Sequence, residues 1–539
     1  MSNTTSNSAC AATRQTTTAR RDFLKLASAA APLFSLTAFA APKPTGGPPI
    51  IDTTCGKVRG FDSQGIKIFR GIPYGGDTSG KNRFMPPTPA PKWADIRDCT
   101  EYGHISPQTL VSKPGDYEKA IEWDKERGGL SEDCLNLNIW TRDLRIDAKR
   151  PVLVSYHGGG FTTGSGNLPG YDGESLARFS DVVVVTVNHR LGALGFTYLG
   201  DLAGPDFAYS GVAGMMDCVQ SLEWIRDNIE HFGGNPGNVF IFGQSGGGQK
   251  TSTLLCMPSA KGLFHRAGVQ SGSALRLTHR DAATKAAETL LGKVGLDKSR
   301  VRDLQNVPVE KLIAAGGIGG PSVDGKIIPR DPFDPTAPDV SAEVPIIIGT
   351  ALDDAGLRMT DWDLDAAGLK KWIAEQPGVG AAKVDSVLEV YRNAYPNTKP
   401  FLIKTKIATD RGGRRSATTM AERKAALGKA PAYLYRWDWP SPAYNGKFGA
   451  IHGTDVSLCF HNTLPPILGD GPESHIMADK MASVWVQFAK SGNPNCKQIP
   501  HWPAYNADQR PTMLFDLRTR VENDPAKEIR LMWDESRQG

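Results

Sequence analysis

The run DVVVVTVN (Asp181–Asn188) is almost unbroken in its apolar character. A strand with one face in water alternates polar and apolar residues; this one does not, so it reads as a strand buried on both faces. That place exists inside a parallel sheet covered by helices on both sides. The surrounding sequence agrees. Short β-type runs occur at GKVRG near Gly56, IKIFRGIPYG, LNLNIW (Leu135–Trp140) and PVLVSYHGGG (Pro151–Gly160). After Asn188 comes MMDCVQSLEWIRDNIEHFGG, with Val219, Leu222, Trp224, Ile225 and Ile229 at helical spacing and a glycine stop. VFIFG then leads into a second helix, GGGQKTSTLLCM, and AGVQSG, VPIIIGT (Val344–Thr350) and AYLYRW (Ala432–Trp437) continue the strands. Alternating strands and helices predict an α/β fold with a large, mostly parallel central sheet. After the linker APKPTGGPP (Ala41–Pro49) there is no further low-complexity boundary and no repeat. Residues 50–539 therefore read as one domain rather than three.

The net charge of +5 over 539 residues includes the first forty. Those hold Arg14, Arg20, Arg21 and Lys25 against Asp22, so the remainder has 58 basic and 56 acidic residues, a balance of +2. No basic run with interleaved aromatics occurs, which argues against nucleic acid as a partner. In ARRDFLKLASAAAPLFSLTAFAAP the paired arginines precede a mildly apolar stretch and the small-x-small site Ala38-Phe39-Ala40. Residues 1–40 thus resemble a cleaved twin-arginine export signal, and a periplasmic or secreted protein starting near Ala41 is expected. The stretch Leu26–Ala40 is shorter than a spanning helix needs, so no stable membrane insertion is expected after signal removal. Seven cysteines remain (Cys55, Cys99, Cys134, Cys218, Cys256, Cys459, Cys496), an odd number with no C-x-x-C pair. At least one thiol is then free or bridged between molecules, and a zinc site is disfavoured.

Two chemistries compete for GQSGGGQKT (Gly243–Thr251). As a phosphate loop it fails, because Gln249 stands where the lysine must follow the last glycine, displacing Lys250 and Thr251 by one place. As a G-x-S-x-G nucleophile elbow it fits with Gly243, Ser245 and Gly247, and it lies between a strand and a helix. Upstream, HGGGF (His157–Phe161) ends another strand, and backbone N–H groups in such a glycine loop can converge on a developing oxyanion. A serine also needs a base. Of ten histidines, His452 lies in a glycine-flanked loop after AYLYRW, with His461 as its competitor; His104, His231, His265 and His279 fall in helical or surface contexts. An acid must orient that base. Asp353 and Asp354 follow the strand VPIIIGT, and one of them is expected to point into the site while the other faces solvent or caps a helix. The order Ser…Asp…His is the one this fold requires.

With these motifs in order, the chain resembles a type B carboxylesterase, the family of cholinesterases and bacterial para-nitrobenzyl esterases within the α/β-hydrolase superfamily. SEDCLNLNIW (Ser131–Trp140), HGGGF, NHRLG, WIRDNIEHFGGNP, the elbow, VQSGS and FAKSGNPN followed by WPAYN carry the resemblance. It implies Ser245 as nucleophile, His452 as base and Asp354 as acid. It implies the N–H groups of Gly159, Gly160 and Gly246 as oxyanion donors, and Ser271 as a serine near the triad or a packing residue. Gln244 and Gly246 replace the glutamate and alanine of the G-E-S-A-G that relatives often carry, which makes a preference for cationic choline esters less expected. Cys134 matches a cysteine that closes a loop in relatives; its usual partner position is Ser106, leaving Cys99 as a substitute or the loop unclosed.

The resulting expectation is a serine carboxylic-ester hydrolase acting on a small-molecule ester, with aryl, alkyl or xenobiotic esters favoured and no metal or organic cofactor implied. A catalytically inactive adhesion module is the alternative, although such modules lose triad members. Lactones, thioesters and amides would use the same residues. Phe161, Trp123, Trp437 and Trp439 are candidates for gorge walls, though tryptophans near a core more often pack. Oligomeric state leaves no mark in the sequence.

Overall fold

The computed structural model describes residues 47–112 and 114–535; the expected export signal lies outside them. The described residues form one compact unit. Its centre is an eleven-stranded sheet. In chain order the strands are β1 (Phe61–Ser63), β2 (Ile66–Pro73), β3 (Asn136–Thr141), β4 (Arg150–Tyr156), β5 (Val183–Val187), β6 (Gly234–Gln244), β7 (Arg266–Gln270), β8 (Ile346–Ala351), β9 (Ala432–Trp437), β10 (Pro511–Phe515) and β11 (Arg520–Asn523). Across the sheet they run β11-β10-β9-β8-β7-β6-β4-β5-β3-β2-β1. The seven strands from β10 to β5 are parallel, and antiparallel pairing is confined to the two flanks.

Every residue of β5 is buried, as its unbroken apolar run predicts. Alternate residues of the inner strands enter separate cores on the two faces. Val152, Val154, Val239, Ile241, Ile346 and Ile348 point to one side; Leu153, Val184, Phe240, Phe242 and Ile347 point to the other. The first side is covered by helices α1 (Ala213–Asn228) and α4 (Gly413–Ala426), which contribute Met215, Leu222, Ile225, Ala417 and Met420. Helix α2 (Gly246–Leu254) begins at the site, and α3 (Pro400–Arg411) supports it through Thr405 and Lys406, which hold Asp353. The second face is covered by α5 (Pro472–Ser491), which contributes Met477, Met481, Trp485 and Phe488. Burial on both faces by area is the main driving force here. Among the described residues no helix is long and apolar enough to cross a membrane.

Several polar side chains in and beside this sheet are matched, whereas Ser155 Oγ and Gln270 Oε1 are buried without a partner among the described residues. Thr186, the one polar side chain within β5, donates to the Gly166 carbonyl (2.9 Å). The Nδ2 groups of Asn138 and Asn188 both donate to Asn167 Oδ1 (3.0 Å each). Arg190, of the NHRLG run, is buried against Asp217 on α1 through Nε (2.9 Å) and Nη2 (2.6 Å). Buried donors and acceptors without partners would cost on the order of 1–3 kcal/mol each, so these contacts fix which element sits where.

Candidate active site

Strand β6 ends at Gln244 and α2 begins at Gly246, so Ser245 alone makes the turn. Its backbone sits at φ 58°, ψ −122°, a conformation that costs a non-glycine residue on the order of 1–3 kcal/mol. The surroundings enforce it: Ser245 N donates to Gln270 O at the end of β7 (2.8 Å), and Gln249 N donates to Ser245 O (3.0 Å). Only glycine fits beside the serine. A Cβ on Gly247 would lie 2.0 Å from the Tyr156 carbonyl, and one on Gly246 would lie 2.4 Å from Gly160 N. The elbow is thereby packed directly onto the HGGG loop that leaves β4. Among the described residues, neither Gly159 N–H nor Gly160 N–H has a protein acceptor. Gly246 N–H, first in α2, is one of the donors a helix start leaves unpaired.

The histidine comes from the loop after β9. His452 Nδ1 lies 2.8 Å from Asp354 Oδ1, and both side chains are largely buried. A carboxylate accepts, so Nδ1 carries the proton, and Nε2 is left buried without a partner. Burial works against charging the imidazole, but the Asp354 charge and hydrogen bond outweigh it and raise the His452 pKa above its ordinary 6.5. Ser271, itself at positive φ after β7, donates to Asp354 Oδ1 (2.7 Å). Tyr117 donates to the His452 carbonyl.

The neighbouring carboxylate differs from expectation. Asp353 neither faces solvent nor caps a helix: it is buried, accepting from Lys406 Nζ (2.6 Å), Thr405 Oγ1 (2.7 Å) and Ala450 N (2.9 Å). It ties α3 and the His452 loop to the end of β8. His461 lies elsewhere, between Asp479 (Nε2, 2.8 Å) and Ser175 (Nδ1, 3.2 Å) and stacked on Phe179.

A model of the carboxylesterase family matches residues 47–533. The chain belongs to the carboxylesterase family. It is 34% identical over 513 residues to para-nitrobenzyl esterase of Bacillus subtilis (strain 168), covering 89% of this chain and 97% of that one. It is 32% identical to phenmedipham hydrolase of Pseudarthrobacter oxydans over the same shares. Among solved structures, a Geobacillus stearothermophilus carboxylesterase is similar at TM-score 0.76 and 33% identity, covering 90% of this chain and 99% of that one. An esterase from Clostridium hathewayi, described as hydrolysing aliphatic aromatic polyesters, is similar at TM-score 0.78 and 32% identity, covering 90% and 98%. The protein is thus a carboxylic-ester hydrolase with the α/β-hydrolase fold.

In this carboxylesterase, Ser245, Gly159, Gly160 and His452 line one cavity of about 360 Å³, whose other walls include Trp123, Ile121, Leu168, Leu357 and Leu464. Of the four aromatic wall candidates only Trp123 lines it. Trp437 and Trp439 are core residues stacked edge-to-face, and Phe161 faces a separate, polar cavity. The seven described cysteines are all free, Cys99 and Cys134 included, so no disulfide closes the loop. Burial pushes the Cys99 thiol up to about 12, which makes it inert. Among the described residues no cluster of three or more metal-ligating side chains occurs. Tyr117 carries no sequence signal, because it reaches His452 across 335 positions from a short helical turn.

Proposed function

We propose that the protein hydrolyses carboxylic esters through an acyl-enzyme on Ser245. His452 Nε2 takes the Ser245 hydroxyl proton as Oγ attacks the acyl carbon. The N–H groups of Gly159, Gly160 and Gly246 receive the oxyanion, each worth roughly 3–4 kcal/mol. His452 then returns the proton to the departing alcohol oxygen, and water repeats the sequence to release the acid. Asp354 holds the imidazole in the Nδ1–H tautomer and stabilises its charged form, and Ser271 holds Asp354. The observation that carries this reading is the 2.8 Å His452–Asp354 contact, with Nε2 left unpartnered in the cavity that Ser245 also lines. The mostly apolar lining, with Glu118 and Arg358 as opposite charges in it, favours aryl, alkyl or xenobiotic esters without net charge. Residues 1–40 act as a twin-arginine signal in the same reading. The test is p-nitrophenyl butyrate turnover by the wild type and by Ser245→Ala: turnover in the first and none in the second supports the assignment, and an active Ser245→Ala overturns it.

A further inference from the structure

Lys250, one turn into α2 from the elbow, has no place in the reaction above. Its side chain is fully buried, and no acidic side chain pairs with it among the described residues. Removing an ammonium from water without a counter-charge is costly; burial alone draws this one down to about 7. Its partners are all on one loop. Nζ donates to the carbonyls of His157 (3.0 Å) and Gly160 (2.8 Å), and it lies 5.4 Å from the centre of the Phe161 ring.

Those contacts complete a pattern. Gly158 O accepts from His157 Nδ1 (2.8 Å). Gly159 O accepts from Thr163 N (3.1 Å), Thr162 N (3.3 Å) and Thr163 Oγ1 (3.2 Å). With Lys250, all four carbonyls from His157 to Gly160 are held, while the N–H groups of Gly159 and Gly160 stay free. The other titratable groups facing the ammonium are His157, His189 stacked 5.0 Å from it, and Cys218. Burial, reinforced by the Lys250 charge, keeps both imidazoles neutral, and a neutral His157 with its proton on Nδ1 is what the Gly158 carbonyl needs.

We propose that Lys250 is a positioning residue of the ester-cleaving site: by clamping the carbonyls of His157 and Gly160 to α2, it aims the N–H groups of Gly159 and Gly160 at the oxyanion. This rests on the assignment of Ser245 as nucleophile. The molecule supplies a control, because Lys424 is also buried and caps two carbonyls, those of Ser341 (2.8 Å) and Ala342 (2.7 Å), without lining the ester cavity.

The experiment compares wild type, Ser245→Ala, Lys250→Met, Lys250→Gln and Lys424→Met, with kcat expressed per fluorophosphonate-titrated site. In Lys250→Met, kcat for p-nitrophenyl butyrate falls about 10–100-fold, less than the loss from deleting an oxyanion donor outright. KM stays within about twofold, because the ground-state ester does not need the donors aimed. A trifluoromethyl ketone, whose serine adduct carries the same oxyanion, loses affinity by the same factor. Lys250→Gln, which keeps a shorter neutral donor, falls between, and it serves in place of Lys250→Met where that variant does not fold. Lys424→Met loses stability and keeps both readouts. Unchanged kcat per site and unchanged ketone affinity in a folded Lys250 variant overturn the proposal. Turnover in Ser245→Ala instead overturns the nucleophile assignment beneath it.

Discussion

Burial of the His452 imidazole disfavours its charged form, and the Asp354 carboxylate at 2.8 Å favours it more strongly, so its pKa lies above 6.5. In the proposed mechanism the base is the neutral form. Turnover is therefore present above the raised pKa and lost as pH falls through it, and the acid limb of kcat/KM has its midpoint above 6.5. In Asp354→Asn that support is gone: the midpoint moves down and kcat falls by about 10⁴, as expected when a triad acid no longer fixes the tautomer. Ser271→Ala removes a single hydrogen bond to Asp354, worth about 1 kcal/mol; it lowers kcat/KM about fivefold and shifts the same limb. A pH-rate profile of the three proteins checks all of this. The strand–turn–helix setting of Ser245 and the glycine-flanked loop of His452 were legible in the sequence. The local residues left Asp353 and Asp354 open, because adjacent carboxylates at a strand end differ only in which tertiary partner each meets; the family resemblance was what implied Asp354.

At the scale of elements, the site is three strand ends brought level by parallel register. Gly243 of β6 pairs Tyr156 of β4 and Val269 of β7, so elbow, HGGG loop and Ser271 emerge side by side. Gly246 is where two of these ends touch. Its Cβ in Gly246→Ala would stand 2.1 Å from Gly160 O, so the loop must retreat and kcat/KM falls about 10–100-fold, with circular dichroism unchanged. The His452 loop depends on Asp353, which ties it to β8 and α3. Lys406→Met leaves that carboxylate buried and unpaired, and urea unfolding should show a loss of roughly 3–5 kcal/mol. Periodicity made the strands and α1 legible, since β5 and its neighbours are buried enough to need no polar face. Which helices cover which face was not legible, because α5 sits far along the chain from β4 and β6, which it covers.

For the whole molecule, the sheet brings Ser245 and His452 to one cavity and sets Asp354 behind the histidine, from positions 245, 452 and 354 of the chain. All the described cysteines are free, so folding does not depend on oxidation. Titration of the protein lacking residues 1–40, unfolded without reductant, returns seven thiols, and reductant leaves its melting temperature unchanged. A smaller count would show a bridge. Fold class was legible because many short motifs recur in a fixed order over nearly the whole chain. The cavity walls were not, since Trp437, Trp439 and Trp123 all pack on the same core and differ in depth: the first two are buried within it, and Trp123 is only partly buried at its edge, where it lines the cavity. The central claim is that Ser245 is the nucleophile, and mass spectrometry after fluorophosphonate treatment tests it most directly. One adduct per chain, on the peptide containing Ser245 and formed in step with loss of turnover, is the predicted result. An adduct on another residue, or full turnover with Ser245 unmodified, would contradict it.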